Sequence, residues 1–445
     1  MTLLQSTTSP TPVRRRSPWR WKSLLAAAVI LAALPLGYMW YRSSADEREL
    51  AALLAELDQS DPGWRLEELL ARRKPVPEEQ SAAHQARRVL KAATSNLESS
   101  PVFGIITQLE RSPKNVQLSA GQVGELRRFF KQEAAARAEA FKLKDMPLGS
   151  FDEEKDGSRV WFDAARQVRF WLFLDAALLA QDQDGDAALA ACRAKLNVAH
   201  AYGVEPGEQG LQWCKQFHPN AIHLLERVLA QTQPSEDALK QMQAALTWET
   251  TLDLRQALRG NRARSWTEIE QALAGDRDAP GVIGNPATLR GLLSHVIPVA
   301  TKGDAADYLR GMKRLLEAVE QPVDGRFEEL TQLTKEWEDS GPLFLRAVQR
   351  NQQSIWEHCW SQTYLRMAIV AVAAERYRLR SGAWPAALED LVTAGLLERV
   401  PVDPFDGQPL RWDRNADGVS VRSAHHGSFR LWDPAARRQP APREP

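Results

Sequence analysis

Residues 413–418 read Asp413-Arg414-Asn415-Ala416-Asp417-Gly418 and carry oxygen ligands at alternate positions, ending on a glycine. This is the first half of a calcium loop, D-x-N-x-D-G, in which alternate oxygens converge on the ion and glycine permits the sharp turn. Asp413, Asn415 and Asp417 are therefore the candidate calcium ligands. The twelfth position, where such a loop places a bidentate Glu, is Ala424. The same residue types also build an ordinary hairpin turn, which is the competing expectation.

Other polar groups are more scattered. Asp182, Asp184 and Asp186 stand between two helical patterns, where acidic side chains cap and favour a helix N-terminus. Cys214 and His218 share a helical face at i, i+4 with His223 nearby, but zinc needs three or four ligands and no second pair has the usual spacing. Glu357-His358-Cys359 and His425-His426 are likewise isolated. No G-x-S-x-G, G-x-x-x-x-G-K-[ST], H-E-x-x-H or G-x-G-x-x-G occurs. No catalytic or organic-cofactor residue is assigned, although a site assembled from distant residues would carry no such motif.

The elements that must hold these groups are mainly helical. After a basic tail, 1–22, expected to be disordered and cytoplasmic, comes the charge-free run Ser23–Trp40. At 1.5 Å per residue, about 18–20 apolar residues cross a hydrocarbon core of about 30 Å, so 23–41 is expected to be a transmembrane anchor in contact with the lipid bilayer. Trp19 and Trp21 flank one end, and Tyr38, Trp40 and Tyr41 the other, as an interfacial aromatic belt. Arg14, Arg15, Arg16, Arg20 and Lys22 precede it, whereas the far flank is nearly balanced. The positive-inside rule then leaves the N-terminus in the cytoplasm and the bulk outside the cytoplasm. A cleaved signal peptide ending near Ala45 is the rival, set against three large aromatics and an Arg before that point.

Downstream, periodicity predicts helices over Ala45–Gln59, Trp64–Lys74, Glu78–Leu97, Ser119–Lys144, Arg159–Gln181 and Ala187–Tyr202. Further helices are expected at Glu208–Gln231 (broken or kinked by Pro219), Ser235–Leu258, Ser265–Leu273, Ala305–Glu320, Gly325–Asp339 and Phe344–Leu379. Gly- and Pro-rich 275–298 reads as a loop-rich break. The extracytoplasmic helical region is thus 42–343. Residues 344–434 form a long helix plus a small α+β module, with a short helix near Ala387–Leu397 and strands at Pro409–Asp413, Gly418–Ser423 and Phe429–Trp432. Residues 435–445 are expected to be a disordered tail. The fold class is mainly α: an irregular antiparallel helical assembly with a C-terminal β-hairpin.

Lys plus Arg and Asp plus Glu both number 57, so no global basic field invites nucleic acid. Three cysteines, Cys192, Cys214 and Cys359, are too few for a disulfide scaffold, and their apolar helical contexts point to buried thiols. The fifteen Trp residues read as core and interface anchors.

Two resemblances add to this. Glu375-Arg376-Tyr377, Trp384-Pro385, Leu388, Leu391 and the run Val400-Pro401-Val402-Asp403-Pro404-Phe405-Asp406-Gly407-Gln408-Pro409-Leu410 resemble the C-terminal part of type II secretion major pseudopilins. There a helix with a Y…G-x-W/Y-P-x-x-L pattern precedes a turn that opens a small sheet. In pseudopilins this block directly follows the membrane helix; here most of the chain intervenes, and no prepilin-type Gly with a following acidic residue precedes the anchor. Calcium binding near this region is what that resemblance implies. More of the chain, through Asp61-Pro62-Gly63-Trp64-Arg65-Leu66-Glu67, Asp184-Gly185-Asp186, Ala191-Cys192-Arg193, Leu225-Glu226-Arg227-Val228-Leu229-Ala230 and Leu258-Arg259-Gly260-Asn261-Arg262-Ala263, together with the Asp403–Gly407 turn, resembles a membrane-anchored helical family expanded in planctomycete bacteria. That likeness transfers no catalytic residue. The expected function is a membrane-tethered protein with a structural or protein-interaction role in the envelope, engaging an envelope protein partner. The alternatives are an envelope hydrolase with a dispersed site and a pseudopilin-related secretion component.

Overall fold

The computed structural model describes residues 38, 41–72, 76–149, 158–200, 208–251, 253–274, 301–335 and 342–441, with the side chains of 158–162, 208–216 and 342–346 outside that description. The expected anchor, apart from Tyr38 and Tyr41, and the loop-rich 275–298 lie outside the described residues. Among the described residues no helix is long and apolar enough to cross a membrane.

The chain is mainly helical and ends in a small three-stranded antiparallel sheet. Helix α1 covers residues 41–60. It is followed by α2 (Leu66–Ala71), α3 (Ala82–Ala92), α4 (Phe103–Arg111), α5 (Ala120–Gln132), α6 (Ala134–Lys142), α7 (Ser158–Gln181), α8 (Gly185–Ala199), α9 (Glu208–Gln231), α10 (Glu236–Glu249), α11 (Leu254–Leu273), α12 (Lys302–Ala318), α13 (Phe327–Lys335), α14 (Pro342–Ser381) and α15 (Glu389–Thr393). Strands β1 (Arg411–Asn415), β2 (Gly418–Arg422) and β3 (Ser428–Trp432) pair in sequence order.

Most boundaries follow local chemistry. Ser119 caps α5 in a reciprocal box with Gln122, and Thr301 does the same for α12 with Asp304. The single helix expected over Ser119–Lys144 is interrupted at Glu133. That side chain is buried and accepts from the Thr94 N–H, the Thr94 hydroxyl and the Ser95 hydroxyl, which fixes the α5–α6 junction to the end of α3. The helix expected over Ser235–Leu258 stops at Glu249, and Asp253 starts α11 by accepting from the Arg255 N–H. Propensity alone does not mark that stop. Helix α9 runs through Pro219 without a break, its far half buried against α14. Helix α4 escaped the periodicity reading because it is short and opens without a side-chain cap.

Two hydrophobic cores share the long α14. The larger is built on α3–α10, the second half of α14 (Leu365, Met367–Ala374) and the sheet. The smaller gathers Leu50 and Leu57 of α1, Trp64, α11, α12, Leu330 of α13, and Ala347, Val348 and Ile355 of α14. With 40 residues, α14 is about 60 Å long and spans both. The boundary expected at 343/344 therefore does not separate two cores. Between them α14 turns polar while staying buried: Asn351, Ser354, Glu357, His358, Ser361, Gln362 and Thr363. Asn261 donates to Asn351 (3.2 Å) and Ser354 (2.9 Å) across this seam.

The tail corrects an expectation. Residues 435–441, expected to be disordered, are docked on the body. Arg437 is buried, pairs with the fully buried Glu375 at 2.9 Å, and donates to the Thr232 carbonyl at 2.7 Å. Gln439 exchanges backbone hydrogen bonds with Asn115 and Gln117. A Pro- and Arg-rich composition reads as frayed, but one arginine that finds a buried carboxylate orders the segment.

Candidate functional site

Among the described residues, the polar seam gathers a cluster of titratable side chains. His200 ends α8, His218 sits midway along α9 beside Pro219, Glu249 closes α10, and Ser361 faces them from α14. All four are at most 5% exposed. Both Glu249 carboxylate oxygens lie 2.8 Å from His200 Nε2, and Oε2 lies 3.1 Å from His218 Nε2. The other face of His218 meets Ser361, with Nδ1 2.6 Å from Oγ. Trp248 packs edge-on against His200, ring centroids 4.8 Å apart.

Proton bookkeeping follows from the donor inventory. An ionised carboxylate only accepts, so each Nε2 carries the hydrogen it offers to Glu249, and the Ser361 hydroxyl can donate to or accept from the His218 Nδ1 according to the state of the ring. Burial by itself would raise the Glu249 carboxyl, but His200 and His218 outweigh it and bring it down to about 2. Among the described residues no lysine or arginine reaches this carboxylate.

This cluster was not legible in the sequence. The i, i+4 spacing points from His218 to Cys214, whose side chain lies outside the described residues; its hydrogen-bond partners in space, Glu249 and Ser361, come from two other helices. Glu249 and His200 stand at helix ends with no local spacing to advertise them. His223 instead packs against Tyr364, and burial, with Lys114 and Lys195 adding to it, lowers its pKa to about 4. His358 is likewise pushed down to about 4 by burial, and the buried Cys192 and Cys359 thiols are pushed up to about 12 by theirs, as suits inert core thiols. His426 packs at a tilt against Phe405, ring centroids 4.2 Å apart.

The three candidate calcium ligands sit on the β1–β2 hairpin. Asn415 pairs with Gly418, leaving Ala416 and Asp417 as the two-residue turn. Gly418 has φ +153°, and a Cβ there would strike the Leu431 carbonyl, so the turn demands glycine. Asp413 is ion-paired with Arg422, Asp417 with Arg430, and Asn415 donates to Ser420 at 3.2 Å. A cation at this turn would have to compete with two guanidinium groups.

Asp182, Asp184 and Asp186 are not gathered around one point. Asp184 caps α8 through the Ala187 N–H, Asp186 accepts from the Ser235 N–H, and Asp182 pairs with Arg127. An open cleft of about 330 Å³, lined in part by Gln80, Phe141, Lys142, Lys144 and Asp145, lies on the α6 side of the body.

The segments that suggested a membrane-anchored family are fastenings. Asp61 pairs with Arg259 and Arg262, and Trp64 packs on Trp266 at 5.7 Å. Arg227, buried on α9, donates to the carbonyls of Leu109 (2.7 Å), Ser112 (3.2 Å) and Val116 (3.0 Å), closing the end of α4. Glu226 accepts from the Arg430 N–H of β3. Gly325 and Gly407, at φ +75° and +70°, lie back to back, so the Asp403–Gly407 turn is seated on the loop before α13.

Compared with known proteins, the chain matches no family model, no curated protein and no solved structure.

Proposed function

We propose that the protein is tethered to a membrane by residues 23–41 and carries its helical body outside the cytoplasm, in a structural or protein-interaction role in the cell envelope. The observation that carries this reading is how the segment directly after the apolar run is fastened to the body. Residues 41–60 follow that run in sequence, and α1 is built into the smaller core through Leu50 and Leu57. Along its exposed side Glu47 pairs with Lys302, Glu49 with Arg310 and Glu56 with Lys313. Asp61 then locks the following turn onto α11. Tyr38 and Tyr41 stand about two-thirds exposed at the start of α1, as interfacial aromatics do.

A body fastened to the segment directly after the anchor would be kept close to the bilayer. That suits presenting a face to an envelope protein partner better than searching a wide volume. The C-terminal order of long helix, short helix, Asp403–Gly407 turn and three antiparallel strands supports relating this part to the pseudopilin module. In this reading the module stabilises the body and does not assemble filaments.

The test is chemical cross-linking in native membranes, followed by mass spectrometry. The same envelope protein should be recovered in replicate preparations and lost when residues 1–40 are removed. Recovery of no reproducible partner from membrane-bound protein would rule out the interaction role.

A further inference from the structure

We propose that His200, His218 and Glu249 form a binding site for one divalent transition ion of the zinc class, with Ser361 orienting His218 from behind. Among the described residues they are the one group of three His, Cys, Asp or Glu side chains whose ligand atoms could share an ion, all lying within 4.8 Å of one another. Two imidazoles and a carboxylate are a donor set that suits zinc and its neighbours.

Ligand bonds of about 2.0–2.2 Å place neighbouring donor atoms about 3.3–3.6 Å apart around a tetrahedral ion. The carboxylate lies 2.8 Å from His200 Nε2 and 3.1 Å from His218 Nε2, and all three ligand atoms fall within 4.8 Å of one another, so admitting an ion means widening the two carboxylate contacts. Helices α8, α9, α10 and α14 fix the four residues from different directions, which is the rigid support a metal centre requires.

Burial points the same way. Glu249 is 1% exposed, and among the described residues its contacts are two imidazoles. Its oxygens face the two Nε2 atoms, so an ion that replaces the shared hydrogens would meet three donor atoms at one point. Ser361 completes the argument. When His218 Nε2 gives its lone pair to an ion, its hydrogen must reside on Nδ1, and the Ser361 oxygen 2.6 Å away accepts it. A hydroxyl can reverse its role in this way, so the same contact serves both states. Three protein ligands leave a fourth position for water, the stoichiometry of catalytic rather than structural zinc.

The experiment uses the full-length, untagged chain in detergent, stripped with a chelator and titrated with Co²⁺ and then Zn²⁺. One equivalent of Co²⁺ should give the visible absorption of a four- or five-coordinate N/O site, Zn²⁺ should displace it, and Zn²⁺ should raise the Tm. Glu249→Gln keeps the shape and the hydrogen-bonding reach of the side chain. It should lower affinity at least 100-fold with an unchanged circular-dichroism spectrum, while Ser361→Ala should lower it about 10–100-fold. Absence of both the Co²⁺ absorption and the Zn²⁺-dependent rise in Tm in the wild-type chain would overturn the proposal whatever the variants do. Equal affinity in wild type and a folded Glu249→Gln variant would overturn it as well.

Discussion

Asp61 holds Arg262 across 201 positions of sequence, and the Arg262 guanidinium in turn lies over the Trp64 ring, 5.2 Å from its centre. Burial would raise the Asp61 carboxyl, yet Arg262 and Arg259 overcome it and bring it below its ordinary range. One turn after α1 is thereby tied to α11 by charge, by hydrogen bonds and by an aromatic face.

Asp61→Ala leaves Arg262, 3% exposed on its side chain, as a buried cation without its partner. Breaking such a pair from one side costs about 3 kcal/mol. The expected result is a lower denaturation midpoint with an unchanged slope, and faster amide exchange across residues 41–60. A variant as stable as wild type would show that the join does not depend on this contact.

The docked tail makes a second prediction. Glu375 is wholly buried between Arg378 (2.6 Å) and Arg437 (2.9 Å). Glu375→Gln should destabilise by about 3–5 kcal/mol, because two guanidinium groups lose their counter-charge in the interior. Residues 434–441 should become sensitive to proteolysis before the helices do. Cleavage of the tail at the wild-type rate would remove the claim that Arg437 is what orders it.

Lys195 gives a pH prediction. It is buried on α8, donates to the Arg169 carbonyl at 3.3 Å and lies over the Phe173 ring. Burial, reinforced by Arg169, lowers its pKa from 10.5 to about 7. Between those values the unfolded chain binds more protons than the folded one, so this group makes stability rise with pH across that window; the penalty is fully present below about 7. Lys195→Met should therefore be more stable than wild type at pH 7, with the advantage shrinking as pH approaches 10.5. An advantage that is constant with pH would mean that packing, not charge, sets it.

Glu249 acts in the opposite sense. Its carboxyl falls from 4.5 to about 2 in the folded chain, so its contribution is present above 4.5 and is lost as pH falls from 4.5 towards 2. In metal-free protein, Glu249→Gln should flatten that part of the acid-denaturation curve. An acid limb of unchanged steepness would assign it to other carboxylates.

How much of this could be read beforehand depends on the range of the interaction. Helices such as α7 and α12 announce themselves because apolar spacing and capping are local. The hairpin was legible for the same reason, since Asn415-Ala416-Asp417-Gly418 is a turn by its own chemistry. The His200–Glu249–His218–Ser361 cluster was not, because its members are brought together by helix packing, the His218–Ser361 contact alone spanning 143 positions. The break at Glu133 and the docked tail at Arg437 are of the same kind: each charge is buried by a distant partner that local sequence does not show.

The central claim is that the body is held outside the cytoplasm by residues 23–41, and site-specific thiol labelling of intact cells tests it most directly. Ser60 is exposed at the end of α1, and Cys192 and Cys359 are buried, so Ser60→Cys with wild type as background offers an added reactive thiol. A membrane-impermeant maleimide should label it in cells whose outer barrier is opened but whose cytoplasmic membrane is intact, and the labelled chain should remain in the membrane after an alkaline carbonate wash. Labelling only after lysis, or release of the chain by the wash, would contradict the account.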